Sequence, residues 1–294
     1  MPKATIRGIR INYLQTGEGP DLVLLHGLAS DHAFWFLRFA PALRDRWRIT
    51  LFDLRGHGHS DAPPTGYSTR DMAGDLDGLL DHLGLAGVHL AGHSFGGAIA
   101  LHYAALRPDR VRSLAVIDSR INALQPIPMF GNASEWQQRR ERLVARGVEI
   151  PEETPRVVTM LLEEMVQHVE TGPPGEVTIP GLVSWKRGGR MQQRLSKLRF
   201  ETTFFDDVRG VAGLTPPVIR SVAVPTLLAY GERSRCLESC RALEKCLPHH
   251  RTVIHPGVGH FFPALRPDLL LADLQEFHDE AGATRAASGG RGSA

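Results

Sequence analysis

The chain has 294 residues, with 34 Lys and Arg against 32 Asp and Glu and a formal net charge of +2 at pH 7. This balance, with both signs interspersed, gives no support for nucleic-acid binding or for attachment to a membrane surface. No apolar run approaches the roughly 18 residues that a membrane span requires. The length fits one α/β domain that carries an insertion and has a sizeable core.

The predicted elements begin with a charged segment, 1–15, that lacks a continuous apolar core; it predicts two short strands and no signal peptide. Six apolar runs then read as buried parallel strands: Leu22–Leu25, Ile49–Phe52, Val88–Ala91, Leu114–Ile117, Thr226–Tyr230 and Thr252–His255. Helical spacing predicts helices at Thr69–Leu83, Gly97–Leu106 and Pro267–Phe277. The alternation predicts an α/β fold with a doubly wound, mostly parallel sheet.

The strand pattern stops between Ile121 and Val218. Helices are predicted there at Glu135–Arg146, Thr154–Val169 and Gln192–Phe200, between joints rich in Pro and Gly. We interpret 121–218 as a helical lid inserted into a core domain formed by 1–120 and 219–281. The remaining residues, 282–294, are predicted to form a disordered tail.

One lid segment, Lys186–Arg199, holds six basic residues and no acidic one. A solvated helix face is the first interpretation of this segment. The alternative is contact with an anionic substrate or an anionic acyl carrier.

The three cysteines, Cys236, Cys240 and Cys246, lie close together in the chain. An odd, clustered set argues against a disulfide framework and favours a reducing compartment, so we expect a cytoplasmic protein. A metal site that joins Cys236 and Cys240 with His249 and His250 is one alternative. We favour small buried cysteines on an amphipathic helix, and we expect no metal and no cofactor.

The segment Gly92–Gly96, with the sequence GHSFG, joins a predicted strand to a predicted helix. The two glycines lack the Cβ atoms that would hinder a sharp bend, and this bend holds Ser94 Oγ outward at the edge of the sheet. The helix that follows directs unpaired N–H groups and partial positive charge at the same place. This context favours a nucleophilic serine over an ordinary turn.

Four motifs, taken in order, resemble the α/β-hydrolase superfamily over the chain to about residue 280. They are His26-Gly27, Asp53–Ser60, Gly92–Gly97 and Gly257–His260. The resemblance implies an α/β-hydrolase fold with the chain order nucleophile, acid, histidine, and it places His260 as the base of Ser94. It also implies an oxyanion hole made by the backbone N–H groups of Leu28 and Phe95.

The acid departs from the commonest pattern of this family. Most relatives have Gly-x-x-Asp after the strand that is Thr226–Tyr230 here, but this chain has Ser234 in place of that aspartate. The known alternative in the superfamily is a carboxylate at the end of the preceding strand, where Asp118 lies. We therefore predict Asp118 as the acid, with Glu232 as the fallback and Glu238 as a weaker third choice.

Other side chains have a functional and a structural interpretation. His26, Trp35 and Phe261 are candidates for the substrate pocket, with core packing as the alternative. His57 and His59 resemble a metal-binding pair, but the family resemblance implies that they belong to a glycine-rich turn.

A serine nucleophile implies acyl chemistry, because epoxide hydrolases and haloalkane dehalogenases of this fold use aspartate there. The leading hypothesis is hydrolysis of a carboxylic ester, lactone or thioester through an acyl-enzyme, with a small-molecule acyl substrate. Hydrolysis of carbon–carbon bonds and cofactor-free perhydrolysis use the same triad and stay open. A non-catalytic small-molecule receptor is the third hypothesis. For an enzyme, we expect activity to fall on the acid side near the ordinary histidine pKa of ~6.5.

Overall fold

The computed structural model describes residues 2–126, 133–145, 176–177, 185–186 and 190–277. Its main sheet has eight strands in the order β1-β2-β4-β3-β5-β6-β9-β10. These are β1 (Lys3–Ile6), β2 (Ile9–Thr16), β3 (Asp21–Leu25), β4 (Arg48–Phe52), β5 (Val88–His93), β6 (Val111–Ile117), β9 (Thr226–Gly231) and β10 (His250–His255). The pairs β1–β2 and β2–β4 are antiparallel, and the other pairs are parallel. The predicted α/β fold with a mostly parallel sheet is confirmed.

The helices follow the strands along the chain. They are α1 (Ala33–Phe36), α2 (Ala40–Leu43), α3 (Thr69–His82), α4 (Phe95–Leu106), α5 (Ala133–Ala145), α6 (Arg190–Phe200), α7 (Phe204–Asp207), α8 (Pro216–Arg220), α9 (Leu237–Glu244), α10 (Phe262–Leu265) and α11 (267–277). A 3₁₀ turn at Pro108–Arg110 precedes β6. No helix in the described ranges is long and apolar enough to cross a membrane.

The central strands are buried over their whole length because helices cover both faces of the sheet. Every residue of β5 and of β9 is buried. Helix α4 packs against β5 and β6, and ten of its twelve residues are buried. This burial explains why the strands were visible in the sequence as continuous apolar runs and not as alternating patterns.

Within the predicted lid, the helices expected at Glu135–Arg146 and Gln192–Phe200 correspond to α5 and α6. A small antiparallel pair, β7 (Glu176–Val177) with β8 (Trp185–Lys186), was not predicted, because two-residue strands carry no readable periodicity. The helix predicted at Thr154–Val169 and the tail at 282–294 lie outside the described residues.

Helix α6 contacts the turn that follows β4 through one basic side chain. Arg194 donates hydrogen bonds to the carbonyl oxygens of Gly56 at 3.0 Å, His57 at 3.1 Å and Ser60. Part of the basic segment of the lid is therefore used inside the protein, because Arg194 satisfies backbone carbonyls and is half-buried.

The start of α4 lies against the end of β3, and only a glycine fits at the contact. A Cβ atom on Gly96 would lie 2.5 Å from the carbonyl oxygens of both Leu25 and His26. These are backbone atoms of a buried strand end, so they have little freedom to move.

We therefore expect Gly96→Ala to lower the free energy of unfolding by about 1–3 kcal/mol, the usual cost of overpacking a well-packed core. Gly87→Ala is the matched control, because its added Cβ meets only the Arg112 side chain, at 3.3 Å or more. The control should stay within about 0.5 kcal/mol of the parent protein. Denaturant unfolding measures both variants, and equal stabilities would contradict the steric argument.

Candidate active site

Ser94 lies at the turn between β5 and α4, in a backbone conformation that few residues other than glycine adopt. Its φ is 56° and its ψ is −124°. The Ser94 N–H donates to the carbonyl oxygen of Ile117 at 2.9 Å, which fixes the turn against the end of β6. Strained backbone of this kind persists only where the surrounding structure holds it, and it concentrates at functional sites. Ser94 itself is partly exposed.

His260 connects Ser94 to Asp118. Its Nε2 lies 3.1 Å from Ser94 Oγ, and its Nδ1 lies 2.8 Å from Asp118 Oδ1. Since an ionised carboxylate only accepts hydrogen bonds, Nδ1 carries the proton and Nε2 is free to accept the Ser94 hydroxyl hydrogen. The three side chains, which we call the Ser94–His260–Asp118 cluster, have the arrangement expected of a nucleophile, a base and an acid.

Asp118 directly follows β6 and is completely buried. Its carboxylate accepts a hydrogen bond from the Gly231 N–H at 2.8 Å and another from the Ser234 hydroxyl. Burial alone would raise the pKa of Asp118, but the hydrogen bond from His260, with those from Gly231 and Ser234, holds this pKa below its ordinary value. The carboxylate is therefore ionised beside the imidazole.

The two fallback acids lie elsewhere. Glu232 is exposed, and its carboxylate accepts a hydrogen bond from the Gly257 N–H at 2.8 Å. Glu238 is exposed in the first turn of α9. The structure thus brings Asp118, and neither glutamate, to His260.

Burial would lower the pKa of His260, but the adjacent Cys236 and the Asp118 carboxylate raise it well above its ordinary value. This is a correction to the sequence-based expectation of an unperturbed pKa near ~6.5. The sequence could not show it, because Cys236 and Asp118 are distant from His260 in the chain and adjoin its ring only in the fold.

His93, inside the GHSFG segment, is hydrogen-bonded to the backbone of His260. Its Nε2–H donates to the His260 carbonyl oxygen at 2.9 Å, and its ring stacks on Phe34 with centroids 4.9 Å apart. Burial and the neighbouring His260 lower the pKa of His93 to about 3, so it stays neutral. A neutral His93 therefore ties the GHSFG segment to the backbone of His260.

The backbone segments that contain the two predicted oxyanion-hole residues adjoin Ser94. A Cβ atom on Gly27 would lie 2.8 Å from Ser94 Cβ, so the backbone that leads to Leu28 passes directly beside the serine. Phe95 opens α4 immediately after Ser94. Both positions fit the predicted roles of these two N–H groups, which stay predictions.

Two of the three predicted pocket residues belong to the core. His26 is 0% exposed, its Nδ1–H donates to the Gly27 carbonyl oxygen at 2.8 Å, and its Nε2 accepts from the Leu54 N–H at 3.1 Å. Trp35 is also 0% exposed and packs against Phe34 and Phe39. Backbone hydrogen bonds at His26 and aromatic packing at Trp35 therefore favour the structural interpretation of these two side chains, and a role for either in a substrate pocket stays a prediction.

Phe261 packs edge-on against His260, with ring centroids 5.0 Å apart. It is 6% exposed, so it covers the base more than it opens toward solvent.

The histidine pairs suggested as metal ligands do not come together in the described residues. His57 is buried, its Nδ1–H donates to the Arg55 carbonyl oxygen at 3.0 Å, and burial lowers its pKa to about 3. The His59 N–H donates to Asp53, while His249 and His250 are exposed.

A small cleft includes residues that lie next to Ser94 and near Asp118 in the chain. It is lined by Thr69, Phe95, Ala98, Arg120, Ile121, Asn122, Ala123, Gly210, Val211 and Leu214. Phe95 follows Ser94 directly, and Arg120 lies two residues after Asp118. Arg120 is the one cation in this lining, and sequence reasoning did not single it out.

The sequence profile described as alpha/beta hydrolase fold matches residues 20–267. A 2-(acetamidomethylene)succinate hydrolase from Mesorhizobium japonicum is 29% identical over 289 residues, which is 94% of each chain. A soluble epoxide hydrolase from Corynebacterium is 39% identical over 116 residues, 40% of each chain. Among solved structures, a meta-cleavage product hydrolase from Pseudomonas fluorescens superposes with a TM-score of 0.67 at 20% identity, covering 96% of this chain and 98% of that one.

The chain therefore belongs to the alpha/beta hydrolase fold family, as the sequence motifs implied. The Mesorhizobium and Corynebacterium relatives are both hydrolases, which supports hydrolase activity for this chain.

The geometry predicts how His260 titrates. NMR titration of its ring protons should give a pKa above the ordinary ~6.5, and Asp118→Asn should lower this pKa because a negative charge 2.8 Å from Nδ1 is removed. Glu232→Gln is the matched control and should leave the pKa unchanged. A shift in Glu232→Gln without one in Asp118→Asn would contradict the assignment of the partner.

Proposed function

We propose that this protein is a serine hydrolase that cleaves a carboxylic ester, lactone or thioester through an acyl-enzyme intermediate. The observation that carries the proposal is the pair of hydrogen bonds that connects Ser94 Oγ through the His260 ring to the buried Asp118. A serine hydroxyl is a weak nucleophile at neutral pH, and this arrangement gives it a base and a group that orients the base.

The proposed reaction has two halves. Ser94 Oγ attacks the acyl carbon while its proton passes to His260 Nε2, and the resulting imidazolium then protonates the leaving group. Water next attacks the acyl-enzyme, giving its proton to His260, and the acid product leaves as Ser94 regains its hydrogen. The N–H groups of Leu28 and Phe95 are proposed to stabilise the oxyanion, each contributing on the order of 3 kcal/mol to lowering the barrier.

Protonation of His260 stops this sequence, because the imidazolium cannot accept the Ser94 proton. Since the pKa of His260 is raised, activity should be lost as the pH falls through that raised value, which lies above the ordinary pKa of ~6.5.

A substrate with a carboxylate is our proposal for the chemical class. Arg120 lines the cleft and is partly buried, and it donates 3.4 Å hydrogen bonds to the carbonyl oxygens of Pro126 and Arg235. Among the described residues it has no carboxylate within ion-pair distance. The Mesorhizobium relative, similar over 94% of both chains, is named for a succinate derivative, which agrees with an anionic substrate.

Hydrolysis of a carbon–carbon bond is the second candidate. It uses the same kind of triad, and the Pseudomonas hydrolase structure, at 20% identity, resembles this chain in fold alone. An aryl ester and a vinylogous diketone, supplied in parallel, distinguish the two reactions.

Ser94 should be the covalent nucleophile. A fluorophosphonate probe is expected to add once, at Ser94, and to be lost in Ser94→Ala. Asp118→Asn should cut ester turnover by about 10⁴, because the imidazole loses the partner that fixes its tautomer. Mass spectrometry locates the label, and circular dichroism verifies folding. Ester turnover that persists in Ser94→Ala would contradict the proposal.

Arg120→Gln should reduce the preference for an acidic substrate. We expect kcat/KM for p-nitrophenyl hemisuccinate to fall about 10- to 100-fold, as for loss of a hydrogen bond to a charged group, with little change for p-nitrophenyl acetate. Arg199→Gln is the matched control, since Arg199 is an exposed cation on α6. If Arg199→Gln has the larger effect, the basic face of the lid and not the cleft recognises the anion.

A further inference from the structure

Cys236 lies beside the Ser94–His260–Asp118 cluster, and the proposed reaction does not use it. Its Sγ is 3.8 Å from His260 Nδ1, on the side of the ring that faces Asp118. The residue stands at the N-cap of α9, and its N–H donates to Ser234 Oγ at 3.0 Å. The same serine donates to Asp118, so the backbone at Cys236 is fixed relative to the carboxylate.

Three kinds of metal ligand meet at this place. A carboxylate oxygen of Asp118, the Cys236 sulfur and a ring nitrogen of His260 all lie within 4.8 Å of one another. All three residues are buried, and Cys236 keeps 7% of its surface exposed.

A second group of ligand types, Asp31, His32 and Asp53, is less suited to a metal. The Asp53 carboxylate already accepts hydrogen bonds from the Asn12 side chain, the His32 ring, and the N–H groups of His32 and His59. A cation there would displace several of these donors at once.

We propose that Asp118, Cys236 and His260 form an inhibitory binding site for Zn²⁺ and similar thiophilic cations. Tetrahedral Zn²⁺ with ordinary bond lengths of about 2.0 Å to nitrogen and 2.3 Å to sulfur separates these two ligands by about 3.6 Å. The observed separation is 3.8 Å. The same geometry separates nitrogen from carboxylate oxygen by about 3.3 Å, so the 2.8 Å hydrogen bond must open by only about 0.5 Å.

Binding at this site changes the tautomer of the base. The Zn²⁺ ion takes the Nδ1 lone pair, and the ring proton moves from Nδ1 to Nε2. The Cys236 thiol releases its proton to water and binds as thiolate, so one proton leaves the protein per ion bound to the neutral imidazole. With a proton on Nε2, His260 can no longer accept the hydrogen of Ser94.

The proposal predicts inhibition that depends on the concentration of the metal ion and not on the concentration of the substrate. The occupied site is on the Asp118 side of the ring, away from Ser94 Oγ, so Zn²⁺ should lower the maximal rate without competing with substrate. A wrong tautomer in such a triad costs about 10⁴ in turnover, so the saturated protein should be essentially inactive.

The test combines a binding readout with a labelling readout in the full chain. Cd²⁺ alone should give the ultraviolet absorption band of a thiolate–metal bond, and Zn²⁺ should slow fluorophosphonate labelling of Ser94 until a chelator is added. Cys236→Ala should lose both effects. Cys240→Ala and Cys246→Ala are the matched controls and should keep them, because neither thiol belongs to the Asp118–Cys236–His260 group.

The two readouts separate this proposal from the proposed function. The Cd²⁺ band does not depend on catalysis, so its presence in the parent protein and in Ser94→Ala would support the site even if Ser94 proved unreactive. If Cys236→Ala fails to fold, Cys236→Ser is measured in its place. A band and a Zn²⁺ effect that persist without the Cys236 thiol would overturn the proposal and assign the metal to other side chains.

Discussion

The buried charge of Asp118 is the constraint on which the rest of the site depends. An ionised carboxylate with 0% exposure is unstable unless its oxygens are fully hydrogen-bonded. Its donors are the Gly231 N–H at the end of β9, the Ser234 hydroxyl in the following turn, and the His260 ring after β10. One charge therefore ties three segments together, and the histidine is held at the distance from Ser94 that proton transfer requires.

Close backbone packing fixes the position of Ser94. Helix α4 begins so close to β3 that Gly96 has no room for a side chain, and the Ser94 N–H is bonded to the end of β6. His93 reaches across to the backbone carbonyl of His260. The packing of the sheet therefore fixes the serine, and the histidine, which lies in the loop after β10, is held in place by His93 at the end of β5 and by the Asp118 carboxylate.

The fold and the serine were predictable because their signals are local. Buried strands show as continuous apolar runs, and the GHSFG turn contains the glycines that its geometry needs. Contacts between distant segments were not predictable: Ser234 lies 116 residues from the carboxylate that it supports and entered the sequence analysis only as a missing aspartate. The sequence could not decide between the two interpretations of His26, because nothing local indicates that both of its ring nitrogens are bonded to buried backbone.

The hydrogen bond between Ser234 and Asp118 also bears on how such sites diverge. Asp118 directly follows β6 and Ser234 lies in the turn after the adjacent strand β9, which are the two places where the family resemblance puts the acid, and here the two side chains are hydrogen-bonded. The two positions share one site for a single carboxylate, and either of them can carry it. An ancestral lineage could transfer the charge from one strand to the other by two substitutions, while the histidine and the serine stay where they are.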